Sequence, residues 1–530
     1  MPWWKSAVIY QIYPRSFQDT NGDGIGDLPG IIRRIPYLVE LGVDAIWISP
    51  IFPSPMLDFG YDVSDYTGID LLFGTLQDFD RLLATAHESG LKILLDLVPN
   101  HTSDQHPWFV ASRSSRQHPQ RDWYIWRDPG ADGGLPNNWL SEFGGSAWEL
   151  DRTSSQYYYH AYLKQQPDLN WPNPQVRRAI YDVMRFWLRR GVDGFRVDVL
   201  WHLIKDDQFR DNPPNPNFGP GRPPHEALVP LYTTDRPEMQ QVVAEMRGVV
   251  DDFEDRLLIG EIYLPLERLV AYYGRDLRGA HLPFNFTLLS ARWHAATIAR
   301  LIDDYEAALP PRGWPNWVLG NHDRPRIASR IGREQARLAA MLLLTLRGTP
   351  TVYYGDEIGM QQVPIAPDQV RDPFERNVPG IGVGRDGCRT PMQWDATPNA
   401  GFSSAPPWLP VGDDFRHENV ENQRRDPASM LNLYRELIAL RRARRALSIG
   451  SYRPIKAAEQ VLIFAREAGE DRVLVALNMA NEPMSASLAA TGVEGTLLLS
   501  SHLDRAGERI RDTIDLRPNE GVVIARAETR

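Results

Sequence analysis

A single cysteine, Cys388, stands in a chain of 530 residues, so no disulfide can form within it. The opening stretch, Met1-Pro2-Trp3-Trp4-Lys5-Ser6, has no basic, apolar, small-residue signal pattern, and the two observations together predict a cytoplasmic location. No run reaches the roughly 18 apolar residues that a membrane span requires. Cationic excess is missing too: Lys plus Arg number 58 against 68 Asp plus Glu, a net charge of −10, which argues against nucleic acid or an anionic membrane as partner. There is no low-complexity tail. What is abundant is aromatic, with 16 Trp, 20 Tyr and 18 Phe, and ordinary core packing accommodates that number. The length exceeds what one compact core holds and implies two or three domains, or one large barrel with accessories. A large acidic enzyme and an interaction protein both fit this frame.

Order narrows the choice. Short β-branched runs recur at Val8 to Ile12, Ala45 to Ile48, Ile93 to Leu97, Gly194 to Asp198, Leu257 to Glu261, His281 to Phe286, Trp317 to Asn321 and Thr351 to Tyr354. Between them lie segments with apolar residues three and four apart, such as Ile31, Ile35, Leu38, Leu41 and Leu76, Phe79, Leu83, Ala86. Eight such units predict a (β/α)8 TIM barrel, with a doubly wound sheet as the alternative that periodicity alone leaves open.

Three interruptions break the rhythm. Residues 101–173 are polar, aromatic and rich in Pro and Gly, far longer than an ordinary strand-to-helix connection, and predict a small inserted domain. Residues 202–237 carry eight prolines from Pro213 to Pro237, which predicts a stiff loop at the barrel mouth rather than a helix. Residues 361–425 follow strand eight as a third insertion. The barrel is thus assigned to residues 1–100 and 174–448. Beyond it, residues 449–530 predict an antiparallel β-sandwich domain from the runs Val461 to Phe464, Val473 to Leu477, Thr496 to Leu499 and Val522 to Ile524.

In a barrel the chemistry belongs at the C-terminal ends of the strands, where the loops converge. Strand three ends in Asp96-Leu-Val-Pro-Asn100-His101, strand four in Arg196-Val-Asp198, strand five in Gly260-Glu261, strand seven in Asn321-His322-Asp323, and strand two runs into Gly60-Tyr61-Asp62. A lone strand-end Asp usually caps a helix, but five polar termini at one rim have no such simple account. These segments resemble the four signature regions of the α-amylase family of glycoside hydrolases (family 13). Gln166-Pro167-Asp168-Leu169-Asn170 resembles the fifth region of its oligo-1,6-glucosidase and α-glucosidase branch, as do Phe143-Gly-Gly-Ser-Ala-Trp148 and the Pro391-Met-Gln-Trp394 segment.

The resemblance implies Asp198 as nucleophile, Glu261 as general acid/base and Asp323 as transition-state stabiliser. A retaining glycosidase needs such a carboxyl pair about 5 to 5.5 Å apart. Three carboxyls in one pocket cannot all ionise cheaply, so the proton is expected on Glu261, with Arg196 keeping Asp198 ionised. Asp62, His101, His322 and Arg385 are implied as the clamp on the terminal glucose, and Tyr61 and Phe143 as its apolar walls. Arg389 is expected to be structural.

The loop from Asp19 to Asp27 places oxygens at alternate positions with glycine at the sixth, a way of wrapping a hard cation. Its twelfth position is Gly30, so it is no EF-hand. The resemblance implies a structural Ca²⁺ or Mg²⁺ held by Asp19, Asn21, Asp23, Asp27 and the Ile25 carbonyl, while catalysis itself needs no cofactor. His101 and His322 lack a zinc-type spacing.

Two features of the mouth disagree about linkage. Val199, after the nucleophile, is common in relatives that cut α-1,6 bonds; the proline-rich loop resembles proteobacterial α-glucosidases acting on maltose-like α-1,4 substrates. The loop carries more weight because it is a whole segment rather than one side chain. The expectation is a retaining exo-α-glucosidase for small oligosaccharides with some transglucosylation, a monomer or homodimer. Oligo-1,6-glucosidase, sucrose hydrolase or isomerase, and trehalose synthase are alternatives on the same fold. A non-catalytic glucosidase-like assembly protein is disfavoured, since Asp198, Glu261 and Asp323 are all present.

Overall fold

A computed structural model of the chain describes residues 1–457, 460–488 and 494–526. Eight parallel strands form the central sheet: β1 (Ile9–Ile12), β2 (Ala45–Ile48), β3 (Lys92–Leu97), β4 (Gly194–Val197), β5 (Leu257–Gly260), β6 (Leu282–Pro283), β7 (Asn316–Val318) and β8 (Thr349–Tyr353). Their order is β7-β8-β1-β2-β3-β4-β5-β6, each pairing parallel to the next. This is the (β/α)8 barrel; no ladder joins β6 to β7 among the described residues. β6 covers only two of the six residues expected of it. Pro283 lies within it and has no N–H to give to a neighbouring strand.

The helices form where the spacing places them. Leu28–Leu41 buries Ile31, Ile35, Leu38 and Leu41 against the barrel and starts at Asp27, whose side chain accepts from the Gly30 N–H. Leu76–Glu88 buries Phe79, Leu82, Leu83 and Ala86 behind a Thr75–Asp78 capping box. Pro174–Arg190, which returns the chain from the insertion to β4, is capped by Asn173 and stopped by Gly191 at φ 111°. Among the described residues no helix is long and apolar enough to cross a membrane.

Within residues 101–173 a helix, Pro107–Ser114, packs beside a three-stranded antiparallel sheet of Trp126–Arg127, Gln156–Tyr159 and Trp148–Asp151. Phe109, Trp126 and Tyr158 are its aromatic centre. Between residues 202 and 237 the chain makes short 3-10 turns and one bridge, Pro214 to Leu228, but no α-helix or strand, in keeping with its prolines. The C-terminal region has a six-stranded antiparallel sheet and a two-stranded sheet, Met484–Ser487 with Thr513–Leu516. The two share a core that includes Ile463, Leu474, Ala486, Leu497, Ile514 and Ile524. The paired strands Met484–Ser487 and Thr513–Leu516 escape a sequence reading because each alternates polar and apolar over only four residues.

Candidate active site

β4 and β5 pair with Val197 opposite Gly260. The next residues, Asp198 and Glu261, therefore leave neighbouring strands at the same height. Both amides continue the ladder, Asp198 N–H to the Leu97 carbonyl at 2.8 Å and Glu261 N–H to the Val197 carbonyl at 3.0 Å. The strands begin in close contact: at Gly194, φ 153°, a Cβ would stand 2.1 Å from the Leu257 carbonyl oxygen. Arg196 faces the same way as Asp198 because side chains alternate along a strand. Its Nη1 lies 2.6 Å from Asp198 Oδ1 and 2.8 Å from Asp96 Oδ1, and its Nη2 lies 2.8 Å from Glu261 Oε2. One fully buried guanidinium thus holds three carboxyl groups.

Directly after Asp198 the backbone is strained. Val199 sits at φ 38°, a left-handed conformation that a β-branched residue rarely adopts, at a cost of order 1–3 kcal/mol. The result is functional geometry, since the turned Val199 N–H donates to Glu261 Oε2 at 2.8 Å.

Burial pushes the Glu261 carboxyl above its ordinary range, against the opposing field of Arg196 and with the help of Asp323. Burial likewise pushes Asp198 well up, again opposed by Arg196 and reinforced by Glu261. Arg196 was expected to serve Asp198; it serves both members of the pair, because its two terminal nitrogens reach one carboxyl each. Asp323 differs. Burial would raise it, but the Arg385 and Arg389 guanidinium groups, with the His322 ring nitrogen 3.2 Å away, hold its carboxyl far below the usual range. It is the permanently ionised member of the three.

The clamp residues divide. Arg385 spans Asp372 (2.7 Å), Asp58 (2.9 Å) and Asp323 (3.2 Å). Its guanidinium is 5.1 Å from the Phe143 ring, and Phe143 stacks on Phe374 with centroids 5.1 Å apart. Tyr61 places its hydroxyl between Asp96 (3.1 Å) and His322 Nε2 (2.6 Å), and Gln11 meets the other ring nitrogen of His322 at 2.8 Å. His101 is held by the Tyr61 carbonyl at 3.1 Å and by Asn100 at 3.1 Å. Burial lowers both histidines, His101 to about 4, so each is a neutral ring.

Asp62 does not join this group. Its carboxylate accepts from the Ser54 hydroxyl (2.8 Å) and the Leu57 and Asp58 amides (2.8 and 3.0 Å), and the side chain is wholly buried under that loop. Asp58, four residues earlier, takes the place expected of it, beside Arg385 and Gln166. No periodic signal separates two aspartates in one loop, so sequence reasoning chose the wrong one. Arg389 was also underrated: it donates to the His322 carbonyl at 2.7 Å and pairs with Asp323 at 3.0 Å. Its place is therefore against the triad itself.

The fifth-region aspartate docks the inserted domain. Asp168 Oδ2 meets Asn100 at 2.8 Å and the buried Lys205 ammonium at 2.5 Å, and its Oδ1 accepts from the Ala161 amide at 2.8 Å. Lys205 also donates to Asn100 Oδ1 at 2.7 Å. Three segments, after β3, within the insertion and after β4, meet at this junction.

In the loop after β1, Asp19 accepts from the Asn21, Gly22 and Gly24 amides at 2.8 to 3.0 Å and from the Ser403 hydroxyl at 2.5 Å. Asp23 accepts from the Ile25 amide at 2.8 Å and Asp27 from those of Thr20 and Gly30 at 2.9 and 2.6 Å. Among the described residues no three His, Cys, Asp or Glu side chains are grouped as a metal cluster. The donors of the loop are oxygens throughout, the chemistry a hard cation prefers.

A parallel barrel with paired carboxyls at its C-terminal rim is an arrangement that glycoside hydrolysis can use. The chain belongs to the alpha-amylase family, whose catalytic-domain model matches residues 11–450. It is 44% identical over 508 residues to a probable alpha-glucosidase of Rhizobium meliloti (strain 1021), covering 93% of this chain and 92% of that one. Similarity to an oligo-1,6-glucosidase of Parageobacillus thermoglucosidasius is 38% identity over 561 residues, 98% of each chain. Among solved structures, the alpha-glucosyl transfer enzyme XgtA superposes with a TM-score of 0.94 at 42% identity, covering 99% of this chain and 100% of that one.

Proposed function

We propose that the protein is a retaining exo-α-glucosidase that releases terminal glucose from maltose and short α-1,4-linked oligosaccharides and transfers part of it to other hydroxyls. One observation carries the reading: Arg196 holds Asp198 and Glu261 on adjacent strands at one height. In this mechanism Asp198 attacks the anomeric carbon while Glu261 gives its proton to the departing oxygen. Glu261, now a carboxylate, takes a proton from water or a sugar hydroxyl, whose oxygen displaces Asp198. Two inversions give net retention. Burial raises both carboxyls of the pair, Asp198 well up despite Arg196, so they share a proton rather than Arg196 keeping Asp198 ionised as expected; this reading assigns that proton to Glu261, which must donate it.

Exo action is supported by the closed end of the site, where Arg385 is locked by Asp58, Asp372 and Asp323 beside the Phe143–Phe374 pair. The α-1,4 preference rests on the proline-rich segment 202–237 and on the higher identity to the Rhizobium protein than to the oligo-1,6-glucosidase. Transfer is in keeping with the likeness to XgtA. The loop of Asp19, Asn21, Asp23, Ile25 and Asp27 would hold Ca²⁺ or Mg²⁺ as a structural brace. A cytoplasmic location is proposed with it.

Initial rates on maltose and isomaltose, with proton NMR of the first-formed anomer, test the reading. Expected are a kcat/KM favouring maltose and α-glucose as first product. A tenfold preference for isomaltose overturns the linkage, and β-glucose overturns retention.

A further inference from the structure

One ionisable side chain of the inserted domain reaches the rim without a place in the scheme above. Glu142 precedes Phe143, and its amide is fixed to the Ala161 carbonyl at 2.8 Å. Glu142 Oε1 lies 3.3 Å from His202 Nε2, and the side chain is 35% exposed. His202 belongs to the 3-10 turn Leu200–His202 that follows the nucleophile. Burial holds the His202 ring neutral and pushes Glu142 itself up to about 7, with Glu261 reinforcing the shift, so His202 orients a carboxyl that is charged only above about that pH.

The surroundings say which side of the pocket this is. Of the three rim carboxyls, Glu261 acts most strongly on Glu142, and the cation acting on it is Arg324. Arg324 stands 5.1 Å from the ring of Tyr263, two residues beyond Glu261. Glu142 thus touches the turn that leaves β4 after Asp198, through His202, and Arg324 lies over Tyr263, two residues beyond Glu261, whereas Arg385 with Asp58 and Asp372 is gathered at Asp323. The glycosidic oxygen leaves past Glu261, so whatever departs or arrives there meets Glu142 and Arg324. A carboxylate accepts from hydroxyls and a guanidinium donates to them. An aromatic ring offers neither.

Resting on the α-glucosidase reading, we infer that Glu142, oriented by His202 and paired across the mouth with Arg324, binds the hydroxyls of the leaving sugar and of the incoming acceptor. It would make the enzyme select polyhydroxylated partners over aryl ones.

The test compares wild type, Glu142→Gln and Glu142→Ala on maltose and on p-nitrophenyl α-glucoside, with glycerol as added acceptor. The ratio of kcat/KM on maltose to that on the aryl glucoside is expected to fall at least tenfold, mainly through KM, and glucosyl-glycerol yield per turnover to fall with it. Glutamine should retain more of the ratio than alanine because its amide oxygen still accepts. An unchanged ratio overturns the inference, whether both activities fall together, as for a structural role, or neither changes. A wild-type enzyme that cleaves neither substrate overturns the underlying reading instead. Thermal melts of the variants show whether a common loss is unfolding.

Discussion

The backbone N–H of Val199 donates to Glu261 Oε2 at 2.8 Å from a left-handed conformation, φ 38°. The proposed general acid, Glu261, is thus oriented by the residue that follows the proposed nucleophile, Asp198, and the cost is backbone strain in a residue with no freedom to adopt that conformation cheaply. Glycine adopts it at no steric cost. Val199→Gly should therefore lose less than about 1 kcal/mol, because relief of strain offsets the lost burial. Val197→Gly, in the regular strand next to it, should cost about 3 kcal/mol or more. Denaturant midpoints of the two variants check the difference; equal losses would remove the strain argument.

Arg196 meets Asp96, Asp198 and Glu261 from inside the barrel. Lysine offers one compact charge where arginine offers a planar fork. Arg196→Lys should keep the fold but lower kcat on every substrate by about 100-fold, since Asp198 and Glu261 cannot both be held. Arg196→Ala leaves buried carboxyls without their cation and should cost about 3–5 kcal/mol of stability. Steady-state kinetics and thermal melts separate the two effects.

Glu261 and Asp198 should differ in their response to the leaving group. Glu261→Gln cannot protonate a sugar hydroxyl, so maltose turnover should fall by about 10³-fold, within the range of general acid catalysis. On an aryl glucoside that departs without help the first step should persist as a burst of phenol. Asp198→Asn should abolish both. In the wild type, rate falls as pH rises through the Glu261 pKa, which burial raises. The alkaline limb of kcat/KM should thus lie above the value of a free glutamate and vanish in the glutamine variant.

His101 gives a stability signature. Burial lowers its pKa to about 4, while the unfolded chain has about 6.5. A base whose folded pKa is depressed destabilises the fold as protons become available, so the loss sets in below about pH 6.5 and is complete below about 4. The 2% exposed ring makes the full effect of order 3 kcal/mol. The stability gap between wild type and His101→Gln should narrow by that order from pH 7 to pH 4, as read by urea midpoints.

Chelation should separate stability from chemistry. EDTA is expected to lower the melting temperature by several degrees and leave initial rates at 25 °C unaltered, with Asp19→Ala reproducing the effect and insensitive to EDTA. Loss of rate in step with chelation would place the cation in the chemistry.

The barrel was legible because its signal is repeated: eight apolar runs with intervening helical spacing, each short enough to misjudge by a residue or two. β6 shrank to Leu282–Pro283 because one proline decides its hydrogen bonding. Asp198 and Glu261 were found from motif and strand end together. Asp62 was mistaken for Asp58 because only loop closure, Ser54 and two amides on Asp62, turns one carboxylate inward and frees the other for Arg385. The shared hold of Arg196 and the direct contact of Arg389 with Asp323 depend on register and on a loop 66 residues downstream. Neither leaves a local trace in the sequence.

The junction of Lys205, Asp168 and Asn100 has a consequence for how such an enzyme can diversify. It fastens the inserted domain seven residues past Asp198, by charge and hydrogen bonds in which Asp198, Glu261 and Asp323 take no part, although Asn100 also reaches the ring of His101. Phe143 and Glu142 are carried on that fastened piece, while the three carboxyls belong to the barrel. The wall of the pocket can therefore be exchanged as a cassette, with the machinery that breaks the bond left in register.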